Sequence, residues 1–320
     1  VLAPIFRDGA VLQREKPVPV WGTAAAGEVV RLQFGERKAM TKADATGQWR
    51  VALEPMAASA TPTELVVEGR NTLRVANVLV GEVWLCAGQS NMGFRVSRSH
   101  TAKVDVPAAN FPLIRQYDVP TPGEEPRAGT EGKWSVTSPE IVRMFSATGY
   151  YFAVELHRAL GVPIGFIRAA VGGTRVEAWM EPGALASDPA FQNVREAWQQ
   201  TQVNYAKLKS DYDRAVKAWE ADPSRNKPKD LRGIANSAPG ALFEGMVRPS
   251  LPYALRGILW YQGESNYTKA AEYRALFPAM IRQWREAFGQ GELPFYFVQL
   301  PNYEQATDIT GQLWAYLREA

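Results

Sequence analysis

Two kinds of apolar spacing divide this chain. Up to about residue 78, apolar side chains alternate with polar ones: Val30, Leu32 and Phe34, then Trp49, Val51 and Leu53, then Leu65 and Val67, then Leu73 and Val75. A period of two belongs to strands with one buried face. Asp44-Ala45-Thr46-Gly47 and Gly69-Arg70-Asn71 supply turns between them. Short strands with frequent turns predict a small β-sandwich over residues 1–79. It carries no acid or histidine pair, so it reads as a structural part or as a carbohydrate contact.

From Val80 the pattern changes to buried strands alternating with helices, the signature of a parallel α/β sheet. Val83–Ala87, Pro163–Ile167, Gly257–Tyr261 and Phe295–Leu300 are apolar runs of strand length. A helix is expected near Ser146–Leu160. Ser146 caps it, Phe152, Leu156 and Leu160 share a face, and Gly161 ends it. A second is expected near Ala270–Phe288, with Tyr273, Phe277, Ile281, Trp284 and Phe288 on one side and a kink at Pro278.

A helical insertion interrupts this alternation over about residues 181–240. Within it Trp198, Tyr205, Tyr212 and Trp219 recur every seven residues, with Val194, Thr201, Leu208 and Ala215 at the companion position. That predicts one long helix over 189–222, opened by Asp188-Pro189 and stopped by Asp222-Pro223. It packs on its own domain, dimerises, or walls a substrate cleft. Pro223–Pro239 reads as loop.

A length of 320 residues suits two domains, here 1–79 and 80–320. With 36 basic and 33 acidic residues the net charge is +3, which implies no nucleic-acid partner. No run of 18 apolar residues is present, so no membrane span is expected. Residues 1–20 are broken by Arg7, Asp8, Arg14, Glu15 and Lys16 and do not read as a signal peptide. A secreted protein that has lost its signal reads the same way. The single cysteine, Cys86, lies in an apolar strand and reads as core. No His/Cys/Asp cluster has metal-ligand spacing, and no nucleotide fingerprint follows a strand.

The chemistry gathers at strand ends. Gly-Gln-Ser-Asn-Met at 88–92 follows Val83–Ala87, which puts the Ser90 hydroxyl at the rim of a sheet. Ser90 is a candidate nucleophile or a structural turn. Met92 stands where the second glycine of a Gly-x-Ser-x-Gly elbow would be, which argues against a lipase-like α/β hydrolase. Gly172-Gly173-Thr174 can offer backbone N–H groups to an oxyanion. Gln262 and Asn266, in the polar turn after Gly257–Tyr261, offer amides. Glu264 either acts as an acid or braces its loop, and bracing is favoured. Arg95 and Arg175 are surface groups or hold a substrate carboxylate.

Five stretches then point to a family: Val18–Gly22, Val83–Met92, Gly172–Trp179, Trp260–Asn266 and Leu293–Leu300. On these the chain resembles the sialate O-acetylesterases of the SGNH-hydrolase superfamily, and carbohydrate acetylesterases more broadly. The resemblance implies a flavodoxin-like three-layer α/β/α domain carrying a β-sandwich. It implies Ser90 as nucleophile, and an oxyanion hole built from the Ser90 N–H, a Gly172 or Gly173 N–H, and the amide of Gln262 or Asn266. The implied substrate is an O-acetylated sugar, most simply an acetylated sialic acid. Acetylated xylan, or sugar binding without catalysis, are the alternatives. Neither a metal nor an organic cofactor is called for. A periplasmic or secreted location follows from the same resemblance.

Two departures stand out. The family often has an acidic residue after the methionine of the serine turn, where this chain has Gly93. The family's base lies in an Asp-x-x-His motif, and none occurs here. The two histidines are His100, in a polar loop, and His157, mid-helix beside Glu155 and Arg158. The expected base is a histidine that a C-terminal segment or a second chain brings together with its aspartate, with His100 as the alternative.

Overall fold

The structure is a computed structural model that describes residues 1–123, 132–224, 226, 228, 231–302 and 309–319. The early alternation becomes strands β1 (Val11–Gln13), β2 (Val18–Thr23), β3 (Val29–Phe34), β4 (Arg37–Lys42), β5 (Gln48–Leu53) and β6 (Ser59–Glu68). In β3, Val30, Leu32 and Phe34 are buried and their neighbours exposed. The Asp44 carboxylate accepts from the Thr46 and Gln48 N–H groups at 2.8 and 3.0 Å, and Gly47 sits at φ +81°. That is the expected Asx turn between β4 and β5.

Strand β7 (Thr72–Gly88) runs unbroken for 17 residues. Its first half pairs antiparallel with β6, which pairs with β3, which pairs with β4. Strand β1 lies parallel to its middle, and β2 pairs with β5. The boundary expected at residues 79 and 80 thus falls inside one strand. What changes there is burial: positions up to Asn77 alternate, and every residue from Val78 to Gly88 is buried. A strand covered on both faces reads as a continuous apolar run. Gly81 is required at the crossover, because a Cβ there would lie 1.9 Å from the Pro163 carbonyl oxygen.

The second half of β7 is the centre of a parallel sheet. On one side stands β10 (Ile164–Ala170), followed by β8 (Ile114–Asp118), with β9 (Trp134–Val136) antiparallel at the edge. On the other stand β11 (Gly257–Tyr261) and β12 (Phe295–Phe297). In chain order the parallel strands run 2-3-1-4-5, against 2-1-3-4-5 in a flavodoxin. The chain leaves β7 for one side and returns to the other, so β7 is the switch strand. This is a mixed α/β fold with a large, mostly parallel central sheet.

Helices α1 (Ala102–Ala108), α2 (Pro139–Val142) and α3 (Ala147–Leu160) accompany these strands. Helix α3 is capped as expected: the Ser146 hydroxyl accepts from the Gly149 N–H at 3.1 Å, and Gly161 closes it at φ +65°. Tyr150, Ala153 and Val154 are buried, Phe152 and Leu156 pack half-buried against the same core, and Leu160 is 44% exposed. The helix lies so close to β10 that a Cβ on Gly149 would come within 2.8 Å of the Phe166 ring. Trp84, Phe145, Phe166, Tyr150 and Met92 form the core beneath it.

The chain forms two compact units. One comprises Val1–Gly172, Arg248–Gln262 and Arg285–Gln299; the other comprises Gly173–Val247, Gly263–Trp284 and Leu300–Ala320. The second unit holds α4 (Pro182–Ser187), α5 (Gln192–Ala221), α6 (Arg232–Ala235), most of α7 (Ala270–Phe288) and α8 (Ile309–Glu319). Helix α7 runs through Pro278 and buries Tyr273, Leu276, Phe277, Met280 and Trp284. The Trp284 indole donates to the Trp179 carbonyl at 2.8 Å. Part of the expected loop 223–239 lies outside the described residues, and the described remainder includes α6.

The long helix exists, but it is not packed along its length. Val194 is buried and Trp198 half-buried, whereas Leu208 is 45% and Val203 70% exposed. Along the heptad seam Trp198, Tyr205, Tyr212 and Trp219 are each half-buried. No helix among the described residues is long and apolar enough to cross a membrane.

Candidate active site

In the first unit the serine turn hangs from the end of the switch strand. Ser90 is exposed, while Gln89 before it and Met92 after it are buried. The turn is fastened from both sides. The Gly93 N–H donates to the Gln89 carbonyl at 2.9 Å and the Gln89 N–H to the Tyr261 carbonyl at 3.0 Å. From α3, the Ser146 hydroxyl donates to the Met92 carbonyl at 2.6 Å and the Thr148 hydroxyl to the Asn91 carbonyl at 3.2 Å. Met92 therefore anchors the turn in the core, which is why a methionine stands where an elbow would have glycine. Ser90 itself lies outside the left-handed region; among the described residues, positive φ occurs at non-glycine positions at Glu15 and Asn77.

The flanking strands end beside it. β10 and β11 pair with β7 so that Ala170 and Tyr261 both stand opposite Gly88. Two residues past Ala170, Gly172 is exposed, and a Cβ built on it would lie 3.5 Å from the Ser90 Cβ. One residue past Tyr261, Gln262 is buried. Ser90, Gly172 and Gln262 thus come to one edge of the sheet, at the carboxyl ends of three adjacent parallel strands. Ligands of open α/β sheets bind at this place.

A buried ion pair that the sequence reading missed lies under the same turn. Arg168 Nη1 donates to Asp118 Oδ1 at 2.5 Å, with both side chains largely buried. Arg168 Nη2 would stand 3.1 Å from a Cβ on Gly93. Where relatives are expected to carry an acidic side chain, this chain thus has a guanidinium already paired with Asp118. The signal was a lone arginine within an apolar strand.

In the second unit, Gly173 lies at φ +75° with open space where a Cβ would be. Asn266 is fully buried; its Oδ1 accepts from the Val176 N–H at 3.0 Å and its Nδ2 donates to Glu177 Oε2 at 2.8 Å. Glu177 Oε1 lies 4.0 Å from Lys269 Nζ. Glu177 was not singled out by the sequence reading, yet it is the buried carboxylate of this loop. Glu264 is half-buried and opens the turn Glu264–Lys269. Arg175 is exposed, and its Nε donates to the Ser265 carbonyl at 3.2 Å.

The other candidates are placed as follows. Arg95 is half-buried, with Nη1 3.4 Å from the Met144 sulfur. His157 is held by Val162, whose carbonyl lies 2.7 Å from Nδ1, and meets Phe111 edge-on. His100 sits exposed in the turn before α1. Cys86 is wholly buried, and burial pushes its thiol pKa up, as fits a core residue. No cluster among the described residues has the donors to hold a metal ion.

Comparison with known proteins gives these features a context. Residues 80–211 and 236–318 match the model of a family described as carbohydrate esterase, sialic acid-specific acetylesterase. The sialate O-acetylesterase of Rattus norvegicus is 32% identical over 325 residues, 92% of this chain and 58% of that protein. The Mus musculus protein of the same name is 29% identical over 323 residues, with the same coverage. The chain therefore spans about 58% of the length of these curated relatives. A crystal structure of a carbohydrate acetylesterase from Xanthomonas citri superposes with a TM-score of 0.78 at 36% identity. It covers 100% of this chain, which covers 64% of it.

Proposed function

Because this chain belongs to the sialic acid-specific acetylesterase family of carbohydrate esterases, we propose that it removes O-acetyl groups from sugars, acetylated sialic acid first among them. The observation that carries the reading is the exposed Ser90 at the end of the switch strand, with Gly172 against it. A hydroxyl presented this way meets a substrate, not the core.

The Ser90 oxygen attacks the acetyl carbonyl carbon while a base takes its proton. Charge develops on the carbonyl oxygen and is received by the N–H groups of Ser90 and Gly172 and by a side-chain amide. Each such donor is worth roughly 3–4 kcal/mol in the transition state. The tetrahedral intermediate collapses by breaking the bond to the sugar oxygen, which leaves with the proton from the base. Water, deprotonated by the same base, then attacks the acetyl-serine and releases acetate, restoring Ser90. Gln262 is the favoured amide, because it stands one residue past Tyr261, at the same sheet edge as Ser90 and Gly172. The base is a histidine outside residues 1–320. The attachment of His157 to Val162 and the placement of His100 in an exposed turn support that assignment.

We further read β2–β6 as a small β-sandwich accompanying the esterase part. The one-sided burial of β3 and the antiparallel pairing of these strands support it.

The test is acetate release from an O-acetylated sialoside by the complete enzyme and by its Ser90→Ala variant. Loss of turnover in a folded variant is expected; undiminished release would refute the nucleophile. Faster release from acetylated xylan than from the sialoside would keep the chemistry and change the sugar.

A further inference from the structure

The second unit contains a cleft of about 330 Å³. Gly173, Arg175 and Glu177 line it from one loop, Trp198 and Thr201 from α5, and Lys269 from the turn before α7. Its size is at the low end for ligand sites, ~300–1,000 Å³, and suits one sugar ring rather than a long chain.

Resting on the esterase reading above, we propose that this cleft binds a carboxylated sugar: Trp198 carries the ring and Arg175 receives the carboxylate on it. The indole of Trp198 is half-buried one turn after the buried Val194, in the part of α5 that packs. A flat aromatic edge-anchored in this way offers a platform to the C–H face of a pyranose. The charges of the cleft are unequal. Glu177 is already held by Asn266 and balanced by Lys269. Arg175 is anchored through Nε to the Ser265 carbonyl, and no carboxylate among the described residues pairs with its terminal nitrogens. An exposed arginine anchored through Nε keeps its terminal nitrogens for bidentate capture of a carboxylate.

Through Trp198 and Thr201, α5 serves as one wall of the cleft.

The experiment uses the complete enzyme and two substrates, an O-acetylated sialic acid glycoside and its carboxyl methyl ester, which differ by one negative charge. Wild type is expected to favour the acid over the methyl ester in kcat/KM by about tenfold or more, the scale of a charge-assisted hydrogen bond. Arg175→Ala should bring that ratio near one. Trp198→Ala should weaken both substrates together and keep the ratio. Because each ratio is taken within one protein, a partly unfolded variant does not distort it. Equal rates on acid and ester by wild type, or a full ratio in Arg175→Ala, would overturn the assignment. Binding of the deacetylated acid and of its methyl ester, measured by calorimetry, applies the same comparison without turnover. If the Ser90 test fails, the binding ratio still decides the subsite.

Discussion

Asn266 and Glu177 lie 89 positions apart in sequence and meet at 2.8 Å, amide to carboxylate, with both side chains buried. The bond braces the loop that carries Gly173 and Arg175 against the turn after β11. Asn266→Ala would strand the Glu177 carboxylate and the Val176 N–H, at a cost of about 2 kcal/mol or more in stability. Gln262→Ala should instead lower kcat by roughly 10²–10³, the usual loss for one oxyanion donor. Urea unfolding midpoints beside steady-state rates of the complete enzyme check both. The opposite pattern would give the oxyanion role to Asn266.

Gly88 offers a graded test of the serine turn. It sits at φ +147°, and a Cβ there would lie 2.1 Å from the Tyr261 carbonyl oxygen, a backbone atom that cannot step aside. Gly88→Ala should therefore cost at least about 2 kcal/mol, from strain and overpacking together, and disturb the β7–β11 register that places Ser90. Gly161 also has positive φ, but nothing crowds its Cβ position, so Gly161→Ala should cost about 1 kcal/mol. Equal costs for the two would show that the close approach at Gly88 is not limiting.

The difference between these two glycines illustrates what a sequence can reveal. Local signals were legible: the Ser146 cap, the Asp44 turn, the apolar run into Ser90, and the ends of the long helix all involve neighbours in the chain. Strand β8 was not. Its Arg115 and Gln116 are buried polar residues, so a reading based on apolar spacing passes over it. Arg115 is buried because its guanidinium donates to the Gly9 carbonyl at 2.8 Å and to Asn77 Oδ1 at 2.9 Å, partners more than 30 residues away. Burial lowers its pKa to about 10, which leaves it charged at neutral pH. The Glu177–Asn266 brace and the Trp198 cleft escaped for the same reason. Pairing over long separations is set by the fold, while a residue type alone says only that some partner is needed.

The Arg168–Asp118 pair beneath the serine turn is a third place to intervene. Asp118→Ala would leave a buried guanidinium without its carboxylate and is expected to cost about 3–5 kcal/mol. Replacing both partners, as Asp118→Leu with Arg168→Met, should recover much of that loss, because no buried charge remains. Chemical denaturation of the wild type, the single and the double variant reads the coupling directly. If the double variant is no more stable than Asp118→Ala, the pair does more than neutralise a charge.

Glu82 gives the first unit a defined acid sensitivity. Its side chain is buried in β7 and bonded to Arg14 and to Arg256, whose Nε and Nη2 donate at 2.6 and 2.8 Å. Burial alone would raise its pKa. The bonds from Arg256 and Arg14 outweigh that and hold it below the ordinary 4.5. A carboxylate with a depressed folded pKa binds protons more readily when unfolded. Its stabilising contribution is therefore complete above the unfolded value and is lost as pH falls through the folded one. Glu82→Gln keeps the shape and removes the charge, and should cost about 3–5 kcal/mol at pH 7. The decisive quantity is the difference between the unfolding free energies of wild type and variant, followed from pH 7 downward. It should stay level to about pH 5 and shrink at lower pH, because the wild type then loses what the variant never had. A difference that stays constant throughout would mean that Glu82 is not the carboxylate whose protonation loosens this unit.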